Sequence, residues 1–446
     1  MKNVDALIIG GSAAGFAAAI TARRHYPEAT LAVIRQEAKT PVPCGIPYIF
    51  GTLGSPEKNL MPDPALAKNN VDLIVDRVTE LDREAKTVST VGGQTVGYQK
   101  LILTTGSVPI VPPIPGVDLD NVFSMKKDVG YLTHLLEVLR GAQDVVIIGG
   151  GFIGLEMADE CRKLSNRSIS VVEMLPHCLF AVFDRDLCVR AEELLAKEGI
   201  RVLTSHRARA FQGNGNVQYV ELEDGERLNA DAVILGIGVR PSAELANRAG
   251  LAMGTSGAIT VDRHMMTSDP DIFAAGDCAE KVCFFTGRPS KALLASAATA
   301  EARIAGANLF EIRRASKGSI SVFSTKIGDL ACGLAGIGEN SALEAGIAYV
   351  VGEAEAVNRH PGSLPGAKTT RVKLIFRKYS EILIGGQVCG GDEVGEMVNV
   401  IATMIQAEMT ADQIATFQMG THPLLTASPV AYQLVNAAEI ALAKMG

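Results

Sequence analysis

Apolar residues follow two rhythms along this chain. Over roughly its first three-quarters they come as short unbroken runs, such as ALII at 6–9 and VVII at 145–148. Runs of this length fit strands of a parallel sheet buried on both faces. Both lead into a glycine-rich loop and then a helical stretch, the first of them rich in alanine. From Ser321 the rhythm changes to alternation: Val372, Leu374 and Phe376 face one way, residues 377–380 supply a turn, and 382–384 return before Gly385 and Gly386. That is an antiparallel hairpin. Val394, Met397, Val398, Ile401, Met404 and Ile405 then share one helix face, and Thr410 with Gln413 makes a capping box for a second helix. The pattern predicts an α/β portion followed by an α+β portion.

The loops after the two apolar runs carry chemistry. GGSAAG at 10–15 places Gly10 and Gly15 where a dinucleotide fold needs a tight turn and close helix packing, with Ser12 at the middle glycine position. Ser12, Ala13 and Ala14 would then lie against a pyrophosphate at the helix N-terminus. The following strand, 31–34, should end in an acid for the ribose; Arg35 stands there, with Glu37 as a substitute. GGGFIG at 149–154 is complete, with Gly149, Gly151 and Gly154 in place and Phe152 and Ile153 opening the helix. Its next strand ends on Glu173, 24 residues after Gly149, where a carboxylate grips a ribose 2′-hydroxyl and repels a 2′-phosphate. This predicts NADH over NADPH.

With 446 residues the chain exceeds one core and implies several domains, and its 47% hydrophobic and 20% charged residues suit a soluble globular protein. A net charge of −7 without basic clusters argues against nucleic acid and anionic membranes as partners. No stretch reads as a transmembrane span. Eight cysteines are too dispersed for a disulfide framework or a metal site, which suits a reducing cytoplasm. One of them is singular. In TPVPCGIPYIFG at 40–51, Cys44 stands where a turn hands over to the first turn of a helix. Unpaired N–H groups and the positive dipole end there would lower its pKa and make the sulfur nucleophilic.

Taken in order, the two fingerprints, TTGSVP at 104–109, GIGVRP at 236–241 and AAGD at 274–277 resemble the two-dinucleotide-binding flavoprotein disulfide reductases over nearly the whole chain. The resemblance implies an α/β fold of two Rossmann-like domains, for FAD and NAD, plus an α+β C-terminal dimerisation domain. It implies FAD-binding segments at 1–112 and 243–318, a nicotinamide domain at 113–242, and an interface domain at 319–446 that builds a homodimer. The proline-rich stretch 108–116 reads as a stiff linker between the first two. FAD would be held by the first fingerprint, Thr105, Gly106, Gly276 and Asp277, and NADH by the second fingerprint, Glu173 and Gly238.

Most of this family has two cysteines separated by four residues, but Lys39 occupies the earlier position. Cys44 is thus similar to the sulfur of the single-cysteine branch: coenzyme A disulfide reductases, persulfide or polysulfide reductases, NADH oxidases and peroxidases. Ala13 and Ala14 stand where the peroxidases carry a histidine. Thr421-His422-Pro423 resembles the His-Pro element whose histidine, from the partner subunit, protonates the leaving thiolate; Ala427 replaces the glutamate that orients it. Tyr48 is a second candidate donor, and Arg24 aligns with a basic residue that contacts the coenzyme A nucleotide. Pro43 replaces the asparagine common before the cysteine in that group. The expected activity is NADH-driven reduction of a small disulfide, persulfide or polysulfide. Reduction of dioxygen, or of a small redox carrier protein, are the alternatives.

Overall fold

The computed structural model describes residues 1–164, 167–290 and 292–446. Among them, strands gather into three large sheets. In the first, Val71–Val75, Leu31–Arg35, Lys2–Ile9 and Thr95–Leu103 run parallel, with Ile272–Ala274 joining the far side of Thr95–Leu103 although it lies much later in the chain. The chain leaves this sheet and comes back to it, having built a second one in between. That second sheet is wholly parallel, in the order Arg201–Thr204, Ser168–Glu173, Asp144–Ile148, Ala232–Leu235 and Val122–Ser124. The third is antiparallel, in the order Val322–Ile327, Leu330–Gly336, Leu383–Gly390, Thr369–Arg377 and Tyr349–Val357.

Small side chains set the packing of the first sheet. Ala14, Ala18, Ala19 and Ala22 of the helix Ala13–His25 are buried against Ala298, Ala302 and Ala305 of the helix Ala295–Ala307. A Cβ on Gly306 would stand 2.5 Å from the Ala18 carbonyl oxygen, so the two helices approach backbone to backbone. This close pair packs over Ala6 and Ile8 of the strand Lys2–Ile9, in the interior of its sheet.

In the C-terminal part the helix Val394–Gln406 buries all six residues of the expected stripe against the antiparallel sheet. Thr410 and Gln413 form the capping box. The hairpin return corrects the sequence reading: it does not stop at Ile384 but runs through Gly385 and Gly386 to Gly390. These glycines are close-approach positions, not turn residues. A Cβ on Gly385 would lie 1.9 Å from the Ile337 carbonyl oxygen, and one on Gly386 would meet Leu374 and Ile401.

A second correction concerns the linker. Ser107–Pro109 pairs antiparallel with Val239–Pro241, so the outgoing and returning connections brace each other. Ile110 N–H donating to the Gly238 carbonyl extends that brace. Among the described residues no helix is long and apolar enough to cross a membrane.

Candidate active site

The two glycine loops are built alike, atom for atom where it matters. Gly10 and Gly149 both sit at left-handed φ, +112° and +106°. Their N–H groups donate to Ile34 and Val172 on the neighbouring strand, each at 2.8 Å. A Cβ on Gly15 would stand 1.9 Å from the Gly10 carbonyl oxygen, and one on Gly154 would stand 1.9 Å from that of Gly149. Nothing lies within 4 Å of where a Gly151 Cβ would be, which leaves backbone N–H groups open at a helix N-terminus. Ser12 occupies the matching place in the first loop, and its hydroxyl makes no cap bond. Both loops therefore fit a pyrophosphate. Gly154→Val would drive a side chain into the Gly149 carbonyl; NADH titration should show affinity reduced roughly tenfold or more, from loss of the close helix-to-strand packing.

The strand ends beside the loops differ. Glu173 is buried and accepts from Gly150 N–H at 2.6 Å and Leu175 N–H at 2.7 Å. At the first loop, Arg35 is buried, packs its stem where a Gly11 side chain would be, and forks onto Asp63 at 2.5 and 2.6 Å. Glu37 takes part through its carbonyl, which accepts from Arg35 Nε; its carboxylate accepts from Gln36. At this strand end Arg35 is thus neutralised by Asp63, with Glu37 beside the pair.

Three distant segments complete the first cradle. The Thr104 hydroxyl donates to the Ile9 and Gly10 carbonyls. Thr105 ties to the Ser242 carbonyl at 2.5 Å, Ser242 N–H donates to Gly106, and Gly106 is left-handed at +70°. Gly276, at +80°, lies against Ala14. Asp277 accepts from the Ser107 hydroxyl at 2.7 Å. Beneath this loop lies a buried pair that sequence reading missed: Lys281 donates to Glu301 at 2.6 Å and to the Gly276 carbonyl at 2.5 Å, while Glu301 accepts from Gly276 N–H. Burial pushes the Glu301 carboxyl up, outweighing the opposing pull of Lys281.

Cys44 sits in a short 3-10 turn, Pro43–Gly45, followed by a wide π turn at Ile49–Leu53. Asn59 fixes it, donating through its amide to the Val42 carbonyl and filling the space a Gly45 side chain would need. The thiol is open to solvent on one side and hemmed by protein on the other. That surrounding burial pushes its pKa up, as do the carboxylates of Glu156 and, less strongly, Asp277; Lys127 alone among the neighbouring charges pulls it down. The expectation of a thiol at a helix N-terminus is corrected to this extent: Cys44 stands in a three-residue 3-10 turn, and burial with Glu156 outweighs the downward pull of Lys127 and of a backbone N–H.

The groups around this sulfur come from separate parts of the fold. Lys127 reaches the Ser107 hydroxyl at 3.5 Å, and Ser107 holds Asp277 of the first cradle. Glu156 and Glu160 belong to the helix Phe152–Arg162 that springs from the second glycine loop. Glu160 is buried and accepts from Gly51 N–H at 3.0 Å and the Thr52 hydroxyl at 2.9 Å, clamping the segment after Cys44 onto that helix. Glu156, one turn earlier, accepts from Thr325 of the antiparallel sheet at 2.8 Å. Tyr48 is half-buried, and its phenol is pushed up to about 12 by burial and by Glu156, Glu160 and Asp159, which keeps it protonated as a donor.

His422 is exposed in the C-terminal part, its ring Nδ1 accepting from Leu424 N–H; among the described residues none of its hydrogen bonds reaches the Cys44 turn. Arg24 is exposed in the last turn of the helix Ala13–His25.

Residues 4–302 match the family described as pyridine nucleotide-disulphide oxidoreductase, and residues 322–431 match that family's dimerisation domain. The chain belongs to the pyridine nucleotide-disulphide oxidoreductases. It is 34% identical to an NADH oxidase of Methanocaldococcus jannaschii over 99% of both chains. It is 31% identical to an NAD(P)H coenzyme A polysulfide/persulfide reductase of Pyrococcus horikoshii, over 91% of each. A solved NAD-dependent persulfide reductase from A. fulgidus superposes with a TM-score of 0.91 at 32% identity, covering 99% of this chain and 83% of that one. As a member of this oxidoreductase family the chain uses FAD and NADH.

For this oxidoreductase the residue that sequence reading overlooked is Glu156. Its signal was there, two positions past Gly154 in GGGFIGLE, but only the fold turns it toward Cys44. Burial lifts its carboxyl from 4.5 to about 7, with Glu160 adding to the rise and Thr325 opposing it. A raised carboxyl favours folding below the unfolded pKa and loses that contribution as pH climbs through the folded one. The fold should therefore lose up to about 3 kcal/mol between pH 5 and 8 from this group, and Glu156→Gln should flatten that slope in urea midpoints measured against pH.

Proposed function

We propose that this enzyme uses NADH to reduce a small disulfide, persulfide or polysulfide, with Cys44 as the sulfur that attacks the substrate. The observation that carries this reading is the position of the thiol. It shares its field with Asp277 of the first cradle and with Glu156 on the helix of the second loop, which supports a sulfur that serves both dinucleotides. Bound FAD supplies the two-electron relay from NADH to sulfur.

The chain's own residues have distinct tasks in this proposal. Gly10, Ser12, Ala13, Ala14 and Gly15, with Thr105, Gly106, Gly276 and Asp277, hold FAD; Gly149, Gly151, Phe152, Ile153, Gly154 and Gly238 hold NADH, whose ribose hydroxyls meet Glu173. Cys44, released as a thiolate when two electrons break its bond to the previous thiol, attacks one sulfur of the substrate; the S–S bond breaks and one thiol leaves with a proton. Tyr48, kept protonated, is the near donor for that proton. His422 comes from the second subunit of a homodimer, and Arg24 meets the anionic end of a larger thiol. Two electrons from NADH then release the second thiol from Cys44, so that a disulfide, NADH and a proton yield two thiols and NAD⁺. Eight free thiols suit a reducing compartment, the cytoplasm.

A second reading, reduction of dioxygen, is favoured by the relative named NADH oxidase. The two separate when NADH consumption is followed with coenzyme A disulfide, polysulfide, hydrogen peroxide, dioxygen and a rubredoxin-like protein in turn. Fastest turnover with a small S–S compound supports the proposal; comparable or faster turnover with dioxygen or the carrier protein overturns it.

A further inference from the structure

A pair of sulfurs lies in a part of the fold separate from Cys44. Cys332 on the strand Leu330–Gly336 stands directly opposite Cys389 on the neighbouring antiparallel strand Leu383–Gly390. Both side chains are buried, and their sulfurs are 3.2 Å apart, in hydrogen-bond contact. Opposed residues of an antiparallel pair have Cα atoms about 4.5–5.5 Å apart, inside the window of about 4.4–6.8 Å that a disulfide spans. Closing a bond here needs no movement of either strand, only rotation of two side chains. Nothing in the sequence brings these residues together, since they are 57 positions apart.

Burial disfavours a thiolate at both sulfurs, and one cation opposes it at each. The pair is buried at the seam between the antiparallel sheet and the helix Arg185–Lys197 of the second sheet, beside Cys188. Arg190 on that helix is the strongest charge acting on both sulfurs apart from their own mutual interaction, and it favours the thiolate at each. Among the described residues Arg190 has no carboxylate partner, so its charge is left to the sulfurs. The S–H of Cys332 shared with Cys389 holds the Cys389 thiol below its ordinary pKa and Cys332 above it. Gly390, which pairs with Ala331 one step along the ladder, lines with Leu330, Arg190, Lys197 and Lys368 a groove of about 790 Å³. That groove brings solvent to the residues next to Cys389 and two before Cys332.

We propose that Cys332 and Cys389 are a second redox site of this enzyme, a dithiol that closes to a cross-strand disulfide under hydroperoxide. The Cys389 thiolate attacks one peroxide oxygen; the O–O bond breaks and the leaving hydroxide takes a proton to become water. Cys332 then attacks the resulting sulfenic sulfur, the S–O bond breaks, and a second water leaves. Two thiols and one hydrogen peroxide give one disulfide and two waters. The site does not depend on Cys44 or on the substrate proposed above.

The test treats the holoenzyme with increasing hydrogen peroxide, quenches in acid, alkylates the unfolded chain and maps its peptides by mass spectrometry. The expected result is a joined Cys332–Cys389 peptide, lighter by two hydrogens than its parts, that appears at doses sparing the other buried cysteines and vanishes with dithiothreitol. It should form equally in Cys44→Ser protein. In Cys332→Ser protein, Cys389 should instead be trapped as a sulfenic acid by dimedone. Alkyl groups on both cysteines at every dose, or oxidation of either only to sulfinic acid in the wild-type enzyme, would overturn the proposal, and neither result needs a variant that folds.

Discussion

Replacing Cys44 by serine should lower NADH-dependent turnover of a small disulfide by roughly 10³-fold or more while leaving NADH able to bleach the bound flavin. The two halves of this expectation rest on different atoms. Flavin reduction depends on the two glycine loops, whose left-handed Gly10 and Gly149 and tightly packed Gly15 and Gly154 lie in other segments. Disulfide attack depends on a sulfur that serine lacks. The substitution is nearly isosteric at a solvent-open position, and the turn is held by Asn59 and by backbone bonds, not by the thiol. Stability should change little. Rapid-mixing absorbance for the flavin, with steady-state NADH consumption beside it, reads both halves.

The largest stability effect should come from Lys281→Met, at about 3–5 kcal/mol in urea unfolding, because removing one partner strands the other charge. Lys281 is 1% exposed, and its ammonium bonds Glu301, Gly276 and Ala279. Without it the Glu301 carboxyl keeps only its bond from Gly276 N–H and a long contact to Ser319. Burial already raises that carboxyl, and the variant loses the cation that opposes the rise. The group is then neutral at low pH and costly when ionised, so the deficit should be small near pH 5 and grow toward pH 8. Adding Glu301→Leu should recover most of the loss. FAD retention should follow stability, since the pair underlies the Gly276-Asp277 loop.

What could be read in the sequence was what is decided locally. A glycine that must be left-handed, a third glycine that must clear the first one's carbonyl, and a helix stripe at regular spacing each leave a mark within a few residues, and each was found in place. The misreadings share a different cause. Gly385 and Gly386 look like a turn until Ile337 and Ile401 are seen to press on them. Residues 108–116 look like a bare linker until Val239–Pro241 returns to pair with their start. The field at Cys44 could not be read at all: Glu156, Lys127 and Asp277 converge from positions more than 80 residues away, and only then does burial, not a helix terminus, govern the thiol. Lys281 with Glu301, and Cys332 with Cys389, are likewise products of topology.

For Cys44 to take electrons as proposed, its sulfur must face the flavin. Anaerobic titration of the holoenzyme with NADH tests it most directly, with the spectrum followed at long wavelength. A thiolate stacked on oxidised flavin should give a broad charge-transfer band in the wild-type enzyme that is absent from Cys44→Ser. A wild-type titration without that band, or the same band in the serine variant, would contradict the account.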